Sequence, residues 1–160
     1  MRECFEILSS TPEVDLFLSR AAEDVLRIYR LDAELEKTGI PIMREGLPSS
    51  PVIGRFFRGV YQGLVVAPAT SNAVAKFVTG VSDTLVTNIF AQAGKARVPI
   101  VVLPTDLEEV VDSPGPKGIV RVYPRRVDLG NVERLREFRG VQVVASPEAL
   151  REVITSLARN

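Results

Sequence analysis

Thr70, Ser71 and Asn72 place two hydroxyls and a carboxamide on three consecutive residues, after the apolar run Gly63-Leu64-Val65-Val66-Ala67 and the pair Pro68-Ala69. A continuous apolar run reads as a strand buried on both faces. Behind the turn, the spacing of Val74, Phe77, Val78 and Val81 reads as a helix. A hydroxyl-rich turn at the carboxyl end of a buried strand is where open α/β sheets place ligands. The first amides of the helix have no acceptor within it and favour an anion, phosphate above all. Ser, Thr and Asn are also ordinary helix caps, so on this segment alone cap and ligand site both stay open.

Composition narrows the chemistry. The chain of 160 residues contains no histidine and one cysteine, Cys4. A His-based triad, histidine acid–base chemistry and most zinc sites are thereby excluded. The chemistry is expected to belong to a bound cofactor rather than to side chains. Twenty Lys and Arg balance 20 Asp and Glu, so no overall field attracts nucleic acid or an anionic membrane. There is no apolar run of the roughly 20 residues a membrane helix needs, and no basic-then-apolar leader. With a lone cysteine that cannot form an internal disulfide, the expectation is a cytoplasmic protein.

The elements that must position the turn alternate between strand-like and helix-like segments. This order predicts one α/β domain over residues 1–160 with a mainly parallel sheet. Residues 1–10 read as a helix with Cys4, Phe5 and Leu8 on one face, and 14–18 as a short strand. Ala22, Val25, Leu26 and Tyr29 mark a helix packed on a sheet. Residues 39–54, rich in Pro, Gly and Ser, read as a long loop. Ser82 or Asp83 is expected to cap a helix reaching about Ala96, followed by a buried strand over 99–103. Strands are expected over 119–123 and 141–145, with an undecided charged stretch between them. Pro114 to Gly118 reads as a turn or hairpin connection. Ser146 and Pro147 form an N-cap and first-turn pair for a last helix.

Gly54-Arg55-Phe56, the 63–72 segment, Ala75-Lys76, Gly80, Asp83 to Asn88 and Pro99 to Asp106 together resemble the homo-oligomeric flavin-containing flavoproteins. These include phosphopantothenoylcysteine decarboxylases, lantibiotic cysteine decarboxylases and prenyl-FMN synthases. Pro104-Thr105-Asp106 and Ser146-Pro147-Glu148 are most similar to the archaeal-type branch related to the dihydromethanopterin reductase subunit. The resemblance implies FMN bound in a three-layer, flavodoxin-like Rossmann domain, near a subunit interface. Pro68, Ala69, Thr70, Ser71 and Asn72 match the family's flavin-contacting turn. Ser19 matches the position where a hydroxyl meets the FMN phosphate. Pro104 and Thr105 match the segment passing the isoalloxazine or substrate. Asp83 matches a helix-starting aspartate, which equally reads as a plain cap.

Three departures shape the expected function. Ala73 stands where relatives carry Thr. The histidine and substrate loop of the decarboxylating branches are absent, which points to electron transfer. The family's first strand and its phosphate loop have no counterpart ahead of residues 1–10, so two strand edges are expected to lack a partner. Either the natural start lies upstream or something else fills the gap. The implied function is an oxidoreductase or electron-transfer protein. It would take electrons from a ferredoxin, an iron–sulfur flavoprotein or NAD(P)H and pass them to a pterin-like or protein acceptor, as a trimer or multiple of trimers. The alternatives are a flavin-dependent decarboxylase or prenyltransferase relative acting on a small acid, and a cofactor-free oligomeric scaffold.

Other residues have plain readings. Cys4 is expected to be buried and inert. Arg121, Arg125 and Arg126 are expected on a solvated edge strand, Tyr61 in packing, and Asp106, Glu108 and Glu109 at a helix start.

Overall fold

The computed structural model describes residues 2–11, 13–46, 50–115 and 118–157. The first elements are α1 (Arg2–Ser9), β1 (Leu16–Leu18), α2 (Arg20–Tyr29), α3 (Asp32–Lys37), β2 (Ile42–Arg44) and α4 (Ser50–Phe57). Then come β3 (Leu64–Ala69), α5 (Ser71–Thr79), α6 (Leu85–Lys95) and β4 (Ile100–Pro104). The chain continues through β5 (Val111–Gly115), β6 (Gly118–Val122), α7 (Arg126–Arg136), β7 (Val141–Val143) and α8 (Pro147–Leu157).

Three layers follow from the side-chain alternation of β4, which is buried along its whole length. Ile100 and Val102 point into a core built with Phe77 of α5, Phe90 of α6 and Leu135 of α7. Val101 and Leu103 point the other way, onto Cys4 and Ile7 of α1 and Leu150 of α8. Period-2 alternation thus gives each face of one strand its own helical cover. In the larger core Phe77 and Phe90 stack with centroids 4.0 Å apart. Cys4 is buried as expected, and burial pushes its thiol pKa up.

β4 lies between β3 and β7, parallel to both, while β1 pairs in parallel with β2. No ladder joins β1 to β3 among the described residues. Side chains link the two parts instead. Phe17 and Met43 pack against the larger core. Tyr61 donates a 2.8 Å hydrogen bond to Asp15, which also pairs with Arg55 at 2.7 Å. Tyr61 further packs on Phe56, 4.6 Å between centroids, and beneath the Arg55 guanidinium. Its expected packing role therefore includes a polar tether.

Several expectations are corrected. The 39–54 segment holds β2 and the start of α4, where Val52 and Phe56 lie one helical turn apart and are buried. Proline is tolerated in a first helical turn, so Pro51 does not prevent the helix; residues 47–49 lie outside the described residues. Thr84, not Ser82 or Asp83, caps α6, through a box in which its side chain accepts from the Thr87 amide. Asp83 is bound instead by both oxygens to the Lys76 ammonium at 2.8 Å, which holds its carboxyl below the usual range. The charged stretch after β6 is helical. Arg125 sits at the N-cap of α7 and its amide donates to Asp128, so Arg125 and Arg126 begin a helix rather than line an edge strand. No helix starts at Asp106, because the chain runs into the antiparallel β5–β6 ribbon. Arg121 does lie on an exposed strand, paired with Asp112 across the ribbon. Gly115 and Gly118 pair at the ribbon's end, which fits the expected hairpin, although residues 116 and 117 lie outside the described residues. Ser146 caps α8 as expected, its hydroxyl accepting from the Ala149 amide.

Candidate functional site

The site is built where β3 and β4 end together. Val66 and Val102 are in register, and the ladder then shifts before resuming at Ala69 and Pro104. Pro68 lies within that shift and has no N–H to offer a ladder. Past it, the Thr105 amide donates to the Ala69 carbonyl at 2.9 Å, fixing the two strand ends side by side. Ala69 and Pro104 are buried there, so they shape the site through backbone and bulk. Pro68, Thr70, Asn72 and Thr105 are exposed around them.

Thr70 has extended backbone angles and caps α5, its Oγ1 accepting from the Ala73 amide at 3.3 Å. Its carbonyl accepts the first intrahelical bond, from Val74 at 3.0 Å. The amides of Ser71 and Asn72 stand in the first turn, where no carbonyl of the helix can reach them. Asn72 makes no side-chain hydrogen bond with another described residue, so its carboxamide is available. The Ser71 hydroxyl, half-buried, donates to a carboxylate oxygen of Asp106, just beyond β4. Sequence reasoning missed Asp106 as a partner of the turn, since the acidic run 106–109 looked like the opening of a helix.

Ser19 lies on the other parallel pair, at the end of β1. It caps α2, accepting from the Ala22 amide at 3.1 Å. Beside it Glu45, unremarked in the sequence, receives the Arg20 amide on one oxygen at 2.9 Å and the Leu85 amide on the other at 3.1 Å. One carboxylate therefore satisfies first-turn amides of both α2 and α6, as expected of an acid at a helix N-terminus. The structure brings the 68–72 turn together with Pro104, Thr105 and Asp106. No hydrogen bond links Ser19 to that group among the described residues.

A hydroxyl-bearing helix N-terminus beside a second strand end can hold a polar, planar or anionic ligand by backbone and side-chain donors. Comparison with known proteins identifies the class. A model of the flavoprotein family matches residues 3–158. The chain belongs to the flavoprotein family. This flavoprotein is 32% identical over 213 residues to the dihydromethanopterin reductase (acceptor) of Methanosarcina mazei, across 92% of this chain and 89% of that protein. It superposes on Burkholderia xenovorans DmrB in complex with FMN, a cubic protein cage for redox transfer, with a TM-score of 0.85 at 38% identity. That superposition covers 98% of this chain and 87% of the other. The flavoprotein also shares its fold with phenylacrylic acid decarboxylase from Aquifex aeolicus, at a TM-score of 0.70 and 21% identity. The family and the fold expected from the 54–106 motifs are thus those of the chain.

Proposed function

We propose that this flavoprotein binds FMN at the 68–72 turn and transfers electrons to a pterin-like or protein acceptor. The observation that carries the reading is the open donor set at the start of α5, held against the end of β4 by the Thr105–Ala69 hydrogen bond. The 38% identity with an FMN-bound redox protein and the 32% identity with a pterin reductase support it.

The residues fit the cofactor chemically. An isoalloxazine presents an imide edge of two carbonyls around one N–H. The free amides of Ser71 and Asn72, the Thr70 hydroxyl proton and the Asn72 carboxamide supply donors for such carbonyls. Thr105 is exposed at the adjoining strand end. Bound there, FMN supplies the redox chemistry. The chain's own residues orient the ring, and the absence of histidine leaves no imidazole to move protons. Ser19 is our candidate for the phosphate through its hydroxyl, the Arg20 amide beside it being held by Glu45.

We further propose a homo-oligomer made of one flavoprotein domain per chain, with trimers as the building unit. The β5–β6 ribbon supports this. Ile119 is 77% exposed and Tyr123 69% exposed, and Val120 and Val122 are also exposed. An isolated two-stranded ribbon is marginal in water, and contiguous exposed apolar side chains mark contact surfaces. A cubic cage such as that of the similar DmrB contains threefold axes, which is consistent with trimers. No described helix is long and apolar enough to cross a membrane. A cytoplasmic location, with ferredoxin, an iron–sulfur flavoprotein or NAD(P)H as donor, completes the proposal.

The test is the visible spectrum of the purified protein before and after adding FMN and desalting. Retained flavin bands, bleached by an electron donor and restored by a pterin acceptor, are the expected result. A protein that stays colourless sinks the cofactor assignment.

A further inference from the structure

Ser71 has one hydroxyl proton, and the hydrogen bond to Asp106 commits it. An ionised carboxylate only accepts, so the direction of this bond is fixed: Ser71 donates. Its oxygen keeps lone pairs and no proton to offer. Thr70 is the opposite case. Its oxygen accepts from the Ala73 amide, leaving its proton for a ligand. Two neighbouring hydroxyls thus carry opposite polarity, one a donor and one an acceptor.

Strand register does not require the Ser71–Asp106 bond, because the Thr105 amide already ties β4 to the Ala69 carbonyl. Asp106 lies half-buried one residue past that tie, where a side chain can reach the turn without altering the ladder. Resting on the FMN reading above, we propose that Asp106 is a positioning residue of the flavin site. By accepting the Ser71 proton it leaves the Ser71 oxygen facing the cofactor as an acceptor for a ring N–H. The turn then carries donors for the two carbonyls of an imide edge and an acceptor for the N–H between them. An asparagine at 106 accepts or donates equally well, so it no longer fixes the polarity of Ser71.

The test is a double-mutant cycle on the FMN-loaded protein, reading the FMN dissociation constant, the position of the visible flavin band and the midpoint potential. Asp106→Asn and Ser71→Ala are each expected to weaken FMN binding by about tenfold, the scale of one hydrogen bond, and to move band and potential. Adding Asp106→Asn to Ser71→Ala is expected to change none of the three further. Ser71→Thr, which keeps the hydroxyl, is expected to retain the wild-type band. Equal shifts from Asp106→Asn in both backgrounds identify a bare charge effect and overturn the inference. So does a loss of thermal stability with band and potential unmoved, which marks a structural staple. If Asp106→Asn does not fold, the serine pair decides: a wild-type band in Ser71→Ala overturns the inference, and a shifted band there with a wild-type band in Ser71→Thr supports it. A wild type that binds FMN while the cycle is additive removes this inference alone; a wild type that binds no FMN removes the cofactor reading with it.

Discussion

Thr70 Oγ1 accepts the Ala73 amide and keeps its proton, so a single hydroxyl serves both the start of α5 and a ligand. Thr70→Ala removes both. It is expected to lower stability by about 1 kcal/mol, as loss of an N-cap does, and to weaken FMN binding. Thr70→Ser is expected to restore both; chemical denaturation and flavin titration of the two variants check this. Asn72 has no competing partner, so Asn72→Ala is expected to leave the melting temperature unchanged and weaken FMN retention by about tenfold. Both residues could be picked out in the sequence because their chemistry is local: hydroxyls and a carboxamide following an apolar run. Asp106 could not, because its pairing with Ser71 spans 35 residues and leaves no trace in the spacing of either segment.

At the scale of elements, Tyr61 tethers the stretch leading into β3 to Asp15, just before β1. Burial, reinforced by the hydrogen bond to Asp15, pushes the Tyr61 phenol from 10.0 up to about 12. The folded state then keeps a proton that the unfolded chain loses. The associated stability is fully present below about pH 10 and is lost as the pH rises through about 12. Tyr61→Phe is expected to remove that alkaline loss and the latest tyrosinate transition, which absorbance titration of both proteins checks. Packing between α5 and α7 makes a second prediction. Leu135 is fully buried in the larger core, so Leu135→Ala is expected to cost about 2–5 kcal/mol in urea unfolding. Long apolar segments such as β4 and α8 were legible because burial on one or two faces imposes a period. β2 and α4 were not, since they are short and their Pro, Gly and Ser content also suits a loop.

Across the whole molecule, net charge and exposed surface point the same way. Equal numbers of acidic and basic residues give copies of the chain no overall repulsion, and the β5–β6 ribbon presents apolar side chains to solvent. The Asp112–Arg121 pair neutralises charge within the ribbon, which suits an uncharged contact. Ile119→Lys is expected to shift sedimentation toward smaller species while far-ultraviolet dichroism stays unchanged. An unaltered assembly places the subunit contact elsewhere.

The sequence alone determined the α/β alternation, the buried strands, the capped helix after the hydroxyl turn, and the family those motifs resemble. Each depends on residue period or on neighbours a few positions apart, which side-chain chemistry and helix or strand geometry fix locally. Tertiary structure decided the partners of the site. Asp106 reaches Ser71 across 35 residues, Glu45 meets Arg20 across 25 and Leu85 across 40, and Tyr61 meets Asp15 across 46. Such pairings form only when packing brings distant elements together, and the free energy of that packing is spread over a core with no local signature of which polar groups will face one another.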